Sequence, residues 1–345
     1  MEYKRLSDCA TWGKDRTREI NYESYISTEN MIKDKGEVTI ASSLPASKTA
    51  SAYIPNDILL SNIRPYYRKI WYADKNGSCS NDVLVVRANE DIDSKFLYYV
   101  LSDNNFFNYN TITSKGTKMP RGTKTAIMKY LVPDIDVAKQ RKIANILSTY
   151  DNLIGNNKKR IKLLEKMAEN LYKEWFVRFR FPGYENTKFI DSIPSDWKIL
   201  RMNDFCYVTD GTHDTPKPVN DGGVPLVTGK CIKNGFIDFN ESYNISYKDH
   251  ESISKRSGLQ TGDILFSNIG TVGTTCLINY DREFSVKNVI IFKPGNLKVS
   301  SYLYSWLNSD SIQAIFATQT NGASQQFVGL NFMRKFKICN PIIKN

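Results

Sequence analysis

The sequence has few of the residues that build metal or disulfide sites. Its two histidines, His213 and His250, stand 37 residues apart. The six cysteines are scattered along the chain and form no Cys-x-x-Cys pair. This arrangement predicts reduced, mostly buried thiols in a reducing compartment. We therefore expect no disulfide framework and no metal site.

The sequence also has no segment suited to a membrane. It contains no run of about 18 apolar residues, the length a spanning helix requires. Its first residues, Met-Glu-Tyr-Lys-Arg, lack the apolar core of a signal peptide. With 345 residues, 41% of them hydrophobic and 12% aromatic, the chain is long enough for two or three globular domains. We expect a soluble, cytoplasmic protein with no membrane partner.

Motifs of several enzyme classes are missing. A DNA methyltransferase would need a Pro-Pro-aromatic motif and a glycine-rich cofactor loop, and the segment 269–273 is too weak a glycine pattern for that loop. Gly229-Lys230 is followed by Cys231 and lacks the upstream glycine of a phosphate-binding Walker loop. We expect no catalytic residues.

The chain contains one long internal repeat. Segment 54–63 reads Ile-Pro-Asn-Asp-Ile-Leu-Leu-Ser-Asn-Ile, and segment 260–269 reads Gln-Thr-Gly-Asp-Ile-Leu-Phe-Ser-Asn-Ile, at an offset of 206 residues. The offset persists without a gap to Gly116, which falls on Gly322. A solenoid period would be roughly 20–50 residues, so the repeat predicts a duplicated domain. Two similar domains in one chain suggest a reader of a two-part ligand.

The repeat argues against a nuclease. Asp57 with the Asp-Ser-Lys segment 93–95 imitates a nuclease pattern of one acid followed by an acid-x-Lys group. The second copy keeps Asp263, but its segment 299–301 reads Val-Ser-Ser. The match in the first copy is therefore interpreted as chance, and the Asp-Ile-Leu-x-Ser-Asn-Ile motif as a core strand.

Each copy is predicted to be mixed α/β, which gives an α+β fold of two similar domains joined by a long coiled-coil-type helix. Short β-branched segments indicate strands and Leu/Tyr faces indicate helices. The predicted strands are 53–61, 82–87, 259–267 and 288–292, and the predicted helices are 95–104 and 300–309. The predicted domains are 1–137, 138–180 and 181–345.

The middle segment is predicted to be one helix with a narrow apolar seam. Between Ala138 and about Arg178 there is no proline, and apolar residues recur at alternating spacings of four and three. Such a seam requires a partner helix; Asn157, its polar interruption, either fixes the register or marks a weak point beside Gly155. The helix should end before Phe181-Pro182-Gly183. The candidate helix-pairing residues are Ile143, Leu147, Ile154, Ile161, Leu164, Leu171 and Trp175.

Positive charge is concentrated in this helix. Residues 138–180 carry 11 Lys+Arg against 4 Asp+Glu. Residues 1–137 carry 19 against 17, and residues 181–345 carry 17 against 15. A basic balance suggests an anionic partner such as nucleic acid. A solvated helix surface would account for the same charge.

A polar, glycine-bearing loop is predicted after the helix of each copy. Lys and Arg donate to phosphates and guanine edges, whereas Asn and Gln pair with adenine. The two copies therefore differ as two readers of different sequences would, although ordinary solvent-facing turns are also polar. The candidate DNA-binding residues are Lys115, Lys118, Arg121 and Lys124 in the first copy, and Lys217, Asn321, Ser324, Gln325 and Gln326 in the second.

Four segments resemble the specificity subunits of type I restriction–modification systems. Segments 139–144 (Lys-Gln-Arg-Lys-Ile-Ala) and 175–183 (Trp-Phe-Val-Arg-Phe-Arg-Phe-Pro-Gly) resemble the central conserved region of that family. Segment 210–217, with Gly262-Asp263-Ile-Leu-Phe-Ser267, resembles one of its target recognition domains. The resemblance covers essentially the whole chain.

The resemblance implies a non-catalytic reader of double-stranded DNA. Each recognition domain would bind one half of a split site, and the helix region would hold the halves apart. Two modification subunits would supply S-adenosylmethionine and adenine methylation. Restriction subunits would use ATP and Mg²⁺ to translocate and cut DNA, so no cofactor is expected on this chain itself.

The family also implies a second conserved helix after the second recognition domain. The sequence here stops at Asn345, shortly after Cys339-Asn340-Pro341. The expectation is therefore that the gene is truncated, or that the helix comes from another chain through self-association or a separate helix in trans. Two other functions stay open: a coiled-coil adaptor for protein assembly and, less favoured, a self-contained DNA endonuclease.

Overall fold

The structure is a computed structural model that describes residues 2–320 and 327–341. Its contacts divide the chain into two units, Met1–Lys159 (unit 1) and Arg160–Asn345 (unit 2). Each unit combines short strands with helices. The long helix Val137–Tyr172 contributes residues to both.

Unit 1 is built around a four-stranded antiparallel sheet. Its order is Ala10–Trp12, Val83–Ala88, Ile58–Ser61, Ile70–Tyr72. A second sheet has the order Arg16–Thr17, Ala50–Tyr53, Gly77–Cys79, Tyr25–Ile26, and Tyr3–Arg5 pairs with Leu131–Pro133. The α-helices confined to unit 1 are Leu6–Cys9, Ser94–Ser102, Asn104–Ile112 and Lys124–Ile127, and Pro65–Tyr67 forms a 3-10 helix.

Unit 2 repeats this plan. Its central sheet has the order Tyr207–Asp210, Val289–Lys293, Ile264–Ser267, Thr275–Leu277. The other strands are Phe189–Ile190, Ile193–Pro194, Lys198–Arg201, Val224–Val227, Ile232–Lys233, Phe236–Ile237, Tyr243–Ile245, Ser285–Val286 and Lys337–Asn340. The α-helices confined to unit 2 are Met202–Phe205, Tyr247–Ser257, Leu297–Leu307, Asp310–Thr320 and Leu330–Lys335.

The two central sheets agree residue by residue. Ile58 stands opposite Val86 in unit 1, and Ile264 stands opposite Phe292 in unit 2. Successive side chains point to opposite faces of a strand. In both units one face packs into the cluster that contains the helices and the other face packs into a second cluster. Burial on both faces explains the continuous apolar run Ile-Leu-x, and the prediction of core strands is confirmed.

Several predicted boundaries were wrong. The predicted strand 53–61 is two strands, because Pro55 cannot donate to a ladder and Asn56 adopts a left-handed φ of 74°. The predicted strand 259–267 begins only at Ile264, after a turn in which Gly262 has φ 96°. In both units a second helix, Asn104–Ile112 or Asp310–Thr320, precedes the predicted loop.

The long helix is confirmed, and so is the predicted fold class. Its α-helical part, Val137–Tyr172, runs unbroken through Gly155, and a π-helical turn, Lys173–Val177, ends it before Pro182. Buried Ala144 anchors its start in the core of unit 1, and buried Tyr172 anchors its end in the core of unit 2.

The predicted seam is largely exposed in the single chain. Leu164 is 62% exposed, and Trp175 is the one seam residue that is half-buried. Asn157 is exposed as well, so it can fix the register only against a partner helix. The other exposed seam residues are Ile143, Leu147, Ile154, Ile161 and Leu171.

The aromatic motif after the helix packs inside unit 2. Phe176 lies 4.6 Å from Tyr302, measured between ring centroids, and 5.9 Å from Trp197. Trp197 also stacks on Phe181 at 5.4 Å. The motif therefore fastens the helix end to unit 2, which gives it a structural role.

Candidate nucleic-acid interface

The basic loop of unit 1 is a hairpin fixed to the end of a core strand. Within it, the backbone N–H groups of Lys115 and Arg121 each donate to the other's carbonyl oxygen at 2.9 Å. Arg64 N–H donates to the Pro120 carbonyl at 2.8 Å, and Gly122 N–H donates to the Asn62 carbonyl at 3.1 Å. These backbone bonds determine where the loop stands on unit 1.

The four predicted basic residues of this loop are close together in sequence, but the structure places them in different environments. Lys115 and Lys118 are exposed and make no side-chain ion pair within the described part of the chain. Arg121 lies 3.4 Å from Asp82, and Lys124 lies 6.0 Å from the centroid of the Trp12 ring. Lys115 and Lys118 are thus the freest charges of the loop.

A second basic segment lies beside this loop, and it was not predicted from the sequence. The turn 64–69 reads Arg-Pro-Tyr-Tyr-Arg-Lys, and both Tyr66 and Tyr67 are exposed. Arg64 and Arg68 adopt left-handed φ angles of 50° and 51°. The difference between the copies is visible in the sequence, because the equivalent segment 270–275 of the second copy reads Gly-Thr-Val-Gly-Thr-Thr. A basic, aromatic turn in one copy alone indicates a role specific to that copy.

Two of the basic side chains in this turn have partners within unit 1. Arg68 forms an ion pair with Asp34. Lys69 donates to the Thr28 carbonyl at 2.5 Å, and burial lowers the pKa of its ammonium group. In Arg64, Nε is buried with no protein partner among the described residues, and the guanidinium carbon lies 6.0 Å from the Tyr67 ring centroid.

The turn also borders a cleft of about 350 Å³ in unit 1. Its lining combines Tyr66 and Arg68 with the exposed face of the helix Asn104–Ile112. Ile112 at its rim is 84% exposed. Aromatic, basic and apolar groups together can contact base faces, sugars and phosphates.

In unit 2, only part of the predicted site lies in the described residues. Lys217 is exposed on the coil that follows the strand Tyr207–Asp210. Near the start of that coil, His213 contacts the Asp210 carboxylate through Nε2 and the Asn288 side chain through Nδ1, each at 2.9 Å. Asn321, Ser324, Gln325 and Gln326 lie outside the described residues.

The C-terminal end of the second loop matches the first. Ile269 pairs with Phe327 as Ile63 pairs with Arg121, and both pairs stand at the offset of 206 residues. Val328 N–H donates to the Asn268 carbonyl at 3.0 Å, as Gly122 does to Asn62.

The packing behind the two loops differs. Asn110 is fully buried in unit 1, and its amide has no protein partner among the described residues. A Cβ added to Gly122 would lie 2.5 Å from the Asn110 side-chain oxygen. The equivalent residues in unit 2 are Phe316 and Val328, both buried. Unit 1 thus has a small polar contact where unit 2 has an apolar one.

The structure also explains the nuclease-like residues. Asp57 is 1% exposed and accepts two hydrogen bonds from Arg87 at 2.8 Å each. Asp93 caps a helix, since its carboxylate accepts the Phe96 N–H at 2.8 Å. Lys95 lies 5.7 Å from the centroid of the Tyr72 ring. Each of these three side chains therefore has a structural partner within unit 1.

The remaining expectations concern thiols, metals and membranes. All six cysteines are free and five are buried, as predicted. Burial raises the pKa of the Cys79 and Cys206 thiols to about 12. Within residues 2–320 and 327–341, no group of three or more acidic, histidine or cysteine side chains could hold a metal ion. No helix in the same residues is both long and apolar enough to cross a bilayer.

Known proteins show similarity over most of the chain. The family model for the type I restriction modification DNA specificity domain matches residues 7–166 and 194–345. The MjaVIII specificity subunit of Methanocaldococcus jannaschii is 24% identical over 300 residues, covering 83% of this chain and 68% of that protein. The MjaIX specificity subunit of the same organism is 28% identical over 188 residues, covering 47% of this chain. That match spans 43% of the MjaIX subunit's length.

The fold matches a solved structure as well. The S subunit of a type I restriction–modification system from M. genitalium superposes with a TM-score of 0.62 at 15% identity, covering 98% of this chain and 84% of that one. Both relatives above are named specificity subunits, which agrees with the resemblance found in the sequence. Since the family model matches both copies of the repeat, the chain belongs to the type I restriction modification DNA specificity domain family.

Proposed function

We propose that this chain reads a bipartite double-stranded DNA target, one half-site per unit. The observation that carries the proposal is the duplicated unit, in which Arg121 and Phe327 pair with the same strand end in the two copies. The polar loop sequences that precede these two residues differ between the copies. Family membership supports DNA as the ligand. In this proposal residues 1–137 and 181–345 are the recognition domains, and 138–180 is the spacer.

Partner subunits would perform the chemistry. Two modification subunits would methylate adenine with S-adenosylmethionine, and restriction subunits would translocate and cut DNA with ATP and Mg²⁺. Because the substrate is cellular DNA, we place this complex in the cytoplasm. The exposed helix seam would pair with a second copy or with a separate helix.

The test is methylome sequencing of a host that carries this gene with its partner subunits. Replacing Lys115, Lys118, Arg121 and Lys124 with alanine should change or weaken one half-site and spare the other, because each loop belongs to a single unit. Lys217→Ala is the reciprocal variant and should affect the other half-site. Equal changes at both half-sites would contradict the modular proposal.

The adaptor function makes the opposite prediction. A protein-binding adaptor would show no sequence-dependent shift of duplex DNA, with or without methyltransferase subunits. Methylation that follows the sequence of the recognition loops would exclude it.

A further inference from the structure

Two segments of unit 1 that are distant in sequence form one surface. The turn 64–69 and the loop 113–124 are joined by the hydrogen bond from Arg64 N–H to the Pro120 carbonyl at 2.8 Å. The pairing of Ile63 with Arg121 adds a second backbone connection. Every charged side chain in the two segments is basic: Arg64, Arg68, Lys69, Lys115, Lys118, Arg121 and Lys124.

Contacts inside unit 1 already engage part of this charge. Arg68 is paired with Asp34, and Arg121 lies 3.4 Å from Asp82. Lys69 is held by a backbone carbonyl and partly desolvated. Arg64, Lys115, Lys118 and Lys124 have no acidic partner among the described residues. Lys124 lies at the start of the next helix, Lys124–Ile127, and 6.0 Å from the centroid of the Trp12 ring. The charges of Arg64, Lys115 and Lys118 are therefore the ones in the turn and the hairpin that are available to an outside anion.

The equivalent segments of unit 2 carry no charge at all. Residues 270–275 and 319–330 contain no Lys, Arg, Asp or Glu. Ile269 pairs with Phe327 where unit 1 pairs Ile63 with Arg121, so the two copies share the backbone position. The two segments are therefore strongly basic in the first copy, and their equivalents are uncharged in the second.

We propose that Arg64, Lys115 and Lys118 bind DNA phosphates, so that this surface of unit 1 carries a salt-dependent share of DNA binding that its counterpart in unit 2 lacks. The inference rests on the proposed function and adds that the equivalent segments of the two units contact DNA in different ways. The equivalent segments of unit 2 contain no charged residue, so their contacts with DNA would be hydrogen bonds and apolar contacts, which salt screens little.

Counterion release makes the proposal quantitative. Each phosphate neutralised on duplex DNA contributes about 0.9 to the slope of log K against log salt concentration. Three contacts therefore contribute about 2.7 to the slope, and this contribution disappears when the three charges are removed.

The experiment measures binding of the full chain to a random-sequence duplex by fluorescence anisotropy over a series of NaCl concentrations. The variant Arg64→Ala/Lys115→Ala/Lys118→Ala should reduce the magnitude of the slope by about 2.7. The charge-conserving variant Arg64→Lys/Lys115→Arg/Lys118→Arg should keep the slope of the original chain. A purely structural role for these residues would not give that difference.

A matched control removes three exposed bases from elsewhere in unit 1. Lys14, Arg18 and Lys48 flank the paired strands Arg16–Thr17 and Ala50–Tyr53 of the other sheet. Replacing all three with alanine should leave the slope unchanged. If Arg64→Ala prevents folding, the exposed pair Lys115→Ala/Lys118→Ala still predicts a reduction of about 1.8.

The outcomes separate the inference from the function beneath it. An unchanged slope in a folded alanine variant, or an equal loss in the matched control, overturns the inference and leaves DNA reading intact. If the unmutated chain binds no duplex, alone or with its methyltransferase partners, the proposed function itself is overturned.

Discussion

Asp57 and Arg87 form a two-pronged ion pair at the edge of the unit 1 core. Arg87 Nε donates to Asp57 Oδ1 and Nη2 donates to Oδ2, both at 2.8 Å. The same carboxylate accepts the Ile54 N–H at 2.9 Å, so the turn before the core strand depends on it. Unit 2 repeats the arrangement with Asp263 and Lys293. The repeat therefore preserves a charge pair as well as an apolar pattern.

Removing Arg87 should destabilise unit 1 selectively. Arg87→Met leaves the buried Asp57 carboxylate without its cation, which should lower the free energy of unfolding by about 2–3 kcal/mol, since the arginine is partly exposed. Hydrogen exchange of the strand Ile58–Ser61 measures the loss. The strand Ile264–Ser267 of the same molecule is the internal control. Equal loss of protection in both strands would contradict the prediction.

Gly122 and Asn110 should be energetically coupled. Gly122→Ala places a methyl group against the Asn110 and Asn62 side-chain oxygens, at 2.5 and 3.0 Å before relaxation. We expect it to destabilise unit 1 by about 1–2 kcal/mol. Adding Asn110→Ala should recover part of this loss, because it removes the nearer oxygen. A double-mutant cycle in urea measures the coupling, and strictly additive effects would show that the contact is absent.

The exposed seam should drive assembly. Ile161→Asp with Leu164→Asp places two charges on the seam and should block association while both units stay folded. Lys159→Asp with Lys162→Asp, off the seam on the same helix, is the control. Sedimentation measures the state of each protein. A clean monomer of the unmutated chain at about tens of micromolar, without partners, would rule out self-association and leave a helix from another protein.

The long helix should set the spacer of the DNA target. Inserting seven residues after Lys166 preserves the seam and adds about 10 Å at about 1.5 Å per residue. At about 3.4 Å per base pair, this lengthens the unread spacer by about three pairs. The inserted heptad also rotates one reader around the duplex, so an equal insertion in the partner helix is the companion variant. Methylome sequencing should find unchanged half-sites, and an active variant with an unchanged spacer would show that the methyltransferase subunits set the distance.

The repeat and the periodic apolar spacing predicted the main elements correctly, although several strand boundaries were wrong. The offset of 206 residues identified the two equivalent core strands, and their apolar run reflects burial on both faces. The helix Val137–Tyr172 followed from spacing alone, since a seam of fours and threes is specific to helices. The turn 64–69 was missed because it belongs to neither a repeated motif nor the predicted loop, although its residues differ in charge from those of the equivalent segment 270–275.

The sequence by itself determined the duplication, the long helix and the basic character of the loop, because these are properties of residue order and composition. Only the tertiary structure decided which charges are free. Arg68 and Arg121 resemble Arg64 and Lys115 in the sequence, yet folding brings carboxylates to the first two. Ion pairing depends on distances of a few ångströms between residues far apart in the chain, and no local pattern encodes those distances.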